Sequence, residues 1–126
     1  MSDLVRQVLG ELTQAPDLLD TTELLRADLF PAGRERETFA AISKLWEEER
    51  PSRIDLVLLA DRLGGNGAGP YVASLVDGLP KPDRHAFVSR VVELRKRAIS
   101  KAVLAKIERQ ARTGEFDLGE IRGLLR

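Results

Sequence analysis

The stretch DRHAFVSRVVELRKRAISKAVLAKIERQART, residues 83–113, decides the fold. Phe87, Val91, Leu94, Ala98, Ala102 and Ala105 recur at steps of 4, 3, 4, 4 and 3, one stripe of a helix. Val88, Val92, Ile99, Val103 and Ile107 form a second stripe. A helix over this span is about 45 Å long at roughly 1.5 Å per residue, more than a small domain requires. Two apolar stripes predict neighbours on two sides. The alanines of the second half permit a helix partner to approach closely. Gly114 is placed to end the helix, and Asp117-Leu-Gly-Glu120 has capping-box spacing. A returning helix with Ile121, Leu124 and Leu125 is expected after it, truncated at Arg126.

Upstream, shorter helical patterns predominate. Leu4, Val5, Val8, Leu9 and Leu12 mark a helix from Asp3 to about Thr13, with Ser2 as its cap. Gly10 inside it is unfavourable by about 1 kcal/mol against alanine, which suggests either a close helix neighbour or a frayed last turn. Pro16 interrupts. Asp20-Thr-Thr-Glu23 has the spacing of a capping box ahead of Leu24 and Leu25, and Asp28-Leu29-Phe30-Pro31 reads as a further turn. A stronger helix is predicted from about Gly33 to Glu49, with Phe39, Ile42, Leu45 and Trp46 on one face. Glu47, Glu48 and Glu49 sit at its negative end, so they are expected to be solvated or to face basic groups. Asp55 is placed to cap a short helix through Leu63. The Gly64–Gly69 run reads as a flexible loop, followed by a helix Tyr71–Val76 and a stiff connector at Pro80 and Pro82.

Composition agrees with an all-α chain. The 20 leucines and 13 alanines outnumber the 25 β-branched and aromatic residues. With no cysteine, a disulfide framework, a thiolate metal site and a cysteine nucleophile are excluded. No apolar run has the length of a membrane span or a signal-peptide core, so a soluble cytoplasmic protein is expected. The 20 basic and 20 acidic residues cancel, but unevenly: residues 1–63 hold 8 basic and 13 acidic side chains, residues 64–126 hold 12 and 7. Within 81–112 the count is 10 basic to 3 acidic, a place to look for an acidic partner.

No catalytic constellation emerges. His85, the only histidine, reads as a surface residue in the first turn of the long helix. None of Ser2, Ser43, Ser52 and Ser74 lies in a strand–turn–helix elbow. The glycine run ends in Gly-Pro rather than Gly-Lys-Ser/Thr, so it lacks the lysine and hydroxyl that hold phosphate and magnesium. The expectation is a chain with no enzymatic activity, no metal and no cofactor of its own. Arg95, Lys96, Arg97 and Lys101, with Lys106, Arg109 and Arg112 beyond, form a basic cluster. It reads either as phosphate contacts or as the solvated face of an amphipathic helix, the second being the plainer account. No interleaved aromatics offer bases a stacking platform.

Taken in order, Val8-Leu9-Gly10, Asp28-Leu29-Phe30, Arg36-x-x-Phe39-x-Ala41-Ile42-x-x-Leu45, Ile54-Asp55-Leu56-Val57-x-Leu59-x-x-x-Leu63, Tyr71-Val72-x-x-Leu75 and Phe87-Val88-x-x-Val91-x-Glu93 form a pattern. Over about residues 5–125 it resembles the N-terminal domain of replicative DNA helicases of the DnaB type. Glu35-Arg36 stands where that family commonly has His-Arg, and Leu58 where it has Thr, departures that suggest a divergent member. The resemblance implies a compact helical head, about residues 1–80, followed by a long helical hairpin, about 83–126. It also implies a non-catalytic role in DNA replication: self-association as a dimer or a six-membered collar, docking of primase or a helicase loader, and contact with DNA through the parent protein. Val91, Leu94, Ala98, Ala102 and Ala105 are the candidate self-association face, and Arg95, Lys96, Arg97 and Lys101 the candidate partner or phosphate contacts. ATP and Mg2+ would belong to a RecA-like motor domain that this chain lacks. Two alternatives stand beside this reading: a freestanding helical nucleic-acid-binding protein using the basic 95–112 face, and the helicase-interacting domain of a primase.

Overall fold

A computed structural model describes residues 3–113. The expected cap at Ser2, the turn at Gly114 and the returning helix with Ile121, Leu124 and Leu125 lie outside the described residues. Every regular element among the described residues is helical: α1 (Asp3–Gln14), short 3-10 helices at Pro16–Thr21 and Ala27–Leu29, α2 (Arg34–Glu49), α3 (Leu56–Leu63), α4 (Ala68–Val76) and α5 (Arg84–Thr113). The chain divides into two units, Met1–Leu94 and Arg95–Arg126, with α5 continuing from one into the other.

In the first unit the buried stripe of α1, namely Val5, Val8, Leu9 and Leu12, joins a core with Ile42 and Leu45 of α2, Leu59 of α3, Val72 and Leu75 of α4, and Phe87, Val91 and Leu94 of α5. Burying each such side chain contributes about 1.5–3 kcal/mol. At Gly10 the backbones of α1 and α4 approach closely. A Cβ added there would strike the carbonyl oxygen of Leu75, and would lie 3.1 Å from that carbonyl's carbon and from Leu79 Cδ2. Close backbone approach, not end fraying, is the reason for this glycine. The Ile54 backbone N–H donates to the Thr13 carbonyl at 3.0 Å, fixing the segment before α3 to the end of α1.

Local chemistry sets the helix ends. Asp55 Oδ1 accepts the backbone N–H groups of Val57 at 2.9 Å and Leu58 at 3.3 Å, as its spacing predicts. Asp83 does the same for α5, accepting from His85 at 3.4 Å and Ala86 at 3.3 Å. At the other end of α2 the chain turns through Arg50, a non-glycine residue in the left-handed region at φ 48°. Its guanidinium lies 4.7 Å from the Trp46 ring centroid and pairs with Asp20 at 2.9 Å, interactions that offset the backbone cost.

Two sequence expectations are corrected. Asp20-Thr-Thr-Glu23 does not open a helix. Its aspartate instead accepts the Trp46 indole N–H at 3.3 Å and the Arg50 guanidinium, while Thr22 Oγ1 holds a tight turn by accepting the Leu24 N–H at 3.1 Å. The glycine loop is shorter than composition suggests. Gly67, at φ 83°, precedes a helix that starts at Ala68, because Ala68 is itself buried in the unit's interior. The first unit itself extends through Leu94. Phe87, Val91 and Leu94 are core residues of the first unit, so the opening turns of α5 belong to it.

The second unit is described through residues 95–113, all within α5. Ile99 and Leu104 are 51% and 59% exposed there, Val103 and Ile107 are half-buried, and Gln110 is buried. No helix among the described residues is long and apolar enough to cross a membrane.

Candidate functional site

The stripe predicted for self-association changes character along α5. Val91 and Leu94 are 0% and 3% exposed and lie in the core of the first unit, so they present no surface to a partner. Beyond them the same helical sector continues as half-buried Ala98 and exposed Ala102 and Ala105. The face available for contact is therefore the alanine portion. Ile99 adds exposed apolar area in the neighbouring sector, whereas exposed Leu104 lies about 120° round the helix from the stripe. Leu104 belongs to neither stripe read from the sequence.

The basic cluster is exposed but does not form one face. A helix turns about 100° per residue, so Arg95, Lys96 and Arg97 fan over about 200° of its circumference. Lys101 falls near Arg97, while Lys106 and Arg109 fall near Arg95. Arg95, Lys96, Arg97 and Lys101 are all exposed. Arg97 and Lys106 each already engage a partner within the chain. These cations make a diffuse positive collar around a helix, not a continuous track for a phosphate backbone.

Other residues singled out by sequence take structural positions. His85 is exposed in the first turn of α5. Of the three glutamates ending α2, Glu48 pairs with Arg62 at 3.0 Å and Glu47 and Glu49 are exposed. Gly64, Gly65 and Gly67, all at positive φ, make the connection between α3 and α4. No group of three or more metal-ligating side chains occurs among the described residues.

Two polar arrangements were not anticipated. Glu11, only 2% exposed, receives a two-pronged contact from Arg90, with Nε donating at 2.6 Å and Nη2 to the second carboxylate oxygen. The pair locks α1 to the first turns of α5. Glu11 follows Leu4 and Val8 by seven and three residues, and Arg90 follows Phe87 by three, so helical spacing already places both on apolar faces. Arg36 reaches back from α2 to the Phe30 carbonyl at 2.9 and 3.2 Å and to the Ala27 carbonyl at 3.1 Å. It thereby seats Phe30, which stacks on Phe39 with ring centroids 4.7 Å apart.

A groove of about 880 Å³ is present in the first unit. It lies between the end of α1, the segment leading into α3 and the connector before α5. Arg53 and Lys81 stand among its lining residues. Comparison with known proteins finds no matching family model, curated protein or solved structure.

Proposed function

We propose that this chain is a non-catalytic oligomerisation and partner-docking domain of the kind found at the N-terminus of DnaB-type replicative helicases. The observation that carries the reading is α5. Its apolar stripe is core through Leu94 and then continues as Ala98, Ala102 and Ala105, with Ile99 exposed beside it. A helix of 30 residues with an uncovered alanine face suits close pairing with another helix. The all-helical first unit with its short turns before α2 also agrees with the head that the sequence resemblance implies. In this reading the chain pairs with copies of itself, and within a full helicase it builds a collar that docks primase. ATP hydrolysis belongs to a motor domain elsewhere in the parent protein.

The nucleic-acid-binding alternative relies on the basic cluster, and the fanning of Arg95, Lys96 and Arg97 around α5 tells against it. One experiment separates the two. The purified chain is titrated with a cognate primase and, separately, with labelled duplex and single-stranded DNA across a range of salt. The scaffold reading expects primase binding and weak DNA binding. Tight, salt-labile DNA binding by a monomer, with no affinity for primase, overturns it.

A further inference from the structure

The groove of the first unit has a chemistry that the self-association reading does not use. Its walls include half-buried Ala15, Leu56, Val76 and Pro82, in a groove some 880 Å³ in volume. That is within the range of sites that enclose a small ligand or a short peptide. Arg53 and Lys81 line the same groove from separate segments, both are exposed, and neither pairs with a carboxylate among the described residues. The groove's one acid, Asp55, caps α3 through Oδ1 and offsets one of these cations, so the lining carries a net charge of +1. A net positive charge therefore lies beside an apolar surface among the described residues.

We propose that this groove docks a short segment of a partner protein in which acidic residues alternate with apolar ones. The carboxylates of that segment pair with Arg53 and Lys81, and its apolar side chains lie on Ala15, Leu56, Val76 and Pro82. Charge complementarity selects this occupant. A nucleic acid fits less well, because two cations make a short track for phosphates and no aromatic side chain lines the groove for a base to stack on. The inference stands apart from the helicase reading, since it concerns residues far along the sequence from the alanine stripe.

The test passes a synthetic library of amide-capped hexapeptides, alternating Asp or Glu with Leu, Ile or Phe, over the immobilised 126-residue chain. A matched library with Asn and Gln replacing the acids serves as control, and a labelled oligothymidylate is run in parallel. The expected result is retention of acidic peptides at least tenfold above the neutral control. Individual hits are expected to perturb backbone amide resonances around residues 13–15, 52–56 and 81. The double charge reversal Arg53→Glu and Lys81→Glu, checked for native helicity by circular dichroism, should lower affinity at least tenfold. The milder pair Arg53→Gln and Lys81→Gln, for use should the reversal unfold, should lower it several-fold. Equal retention of both libraries, affinity indifferent to these substitutions, perturbations away from the groove, or oligothymidylate outcompeting the peptides there would each overturn the proposal.

Discussion

At the residue scale, two positions in α1 carry more than their residue types suggest. Gly10 lies against the Leu75 carbonyl, so alanine there meets backbone that has no rotamer to change. On an exposed helix Gly→Ala gains about 1 kcal/mol. Here the collision reverses the sign, and Gly10→Ala should lose about 1–3 kcal/mol in denaturant unfolding. A more stable variant would show that α1 and α4 are not in contact at this point. Glu11 and Arg90 form the second case. Removing one member of a buried pair costs about 3–5 kcal/mol, and Glu11→Ala should fall toward the lower end because Arg90 keeps 23% side-chain exposure. The double replacement Glu11→Met with Arg90→Met should recover most of that loss, and additive single losses in the double-mutant cycle would argue that the pair is uncoupled. Both features were partly legible in the sequence. An interior glycine on a leucine-rich helix raises the question of close approach, and a charge at helical spacing on an apolar face raises the question of a buried partner. Which residue answers each question is a matter of tertiary proximity, with 79 residues separating Glu11 from Arg90.

At the scale of elements, local signals succeeded where one residue had one plausible task. Asp55 caps α3 as its position predicts, and Asp55→Ala should cost about 1 kcal/mol by freeing two backbone donors at the helix start. An unchanged midpoint of thermal unfolding would mean that water replaces the cap without loss. The Asp20 motif failed because its carboxylate had competing donors, Trp46 and Arg50, that lie close only after α2 has packed. The extent of α4 was misjudged for a related reason. Glycine content marks where a chain can turn, but burial of Ala68 decides where it stops turning. In α5, periodicity gave the helix and both stripes. It gave no account of where core ends and surface begins, since Leu94 and Ala98 occupy equivalent helical positions. That boundary depends on what the rest of the first unit covers.

For the molecule as a whole, the uneven charge and the uncovered alanine face are the features from which a role is argued. The charge asymmetry resolves into a predominantly acidic first half and a basic second half, in which the cations from Arg95 to Arg109 surround α5 without forming a track. A nucleic-acid role would draw on the excess of cations in the second half and is weakened by their spread around the helix. Self-association draws on the apolar face, which predicts an interaction that persists in high salt because little of it is ionic. Sedimentation of the purified chain at high salt tests this most directly. The scaffold account predicts a species at twice the 14.0 kDa chain mass or larger, reduced to the single-chain mass by Ala98→Glu or Ala102→Glu with helicity retained. A wild-type chain that stays at 14.0 kDa throughout, or an assembly that both glutamate substitutions leave intact, would contradict it.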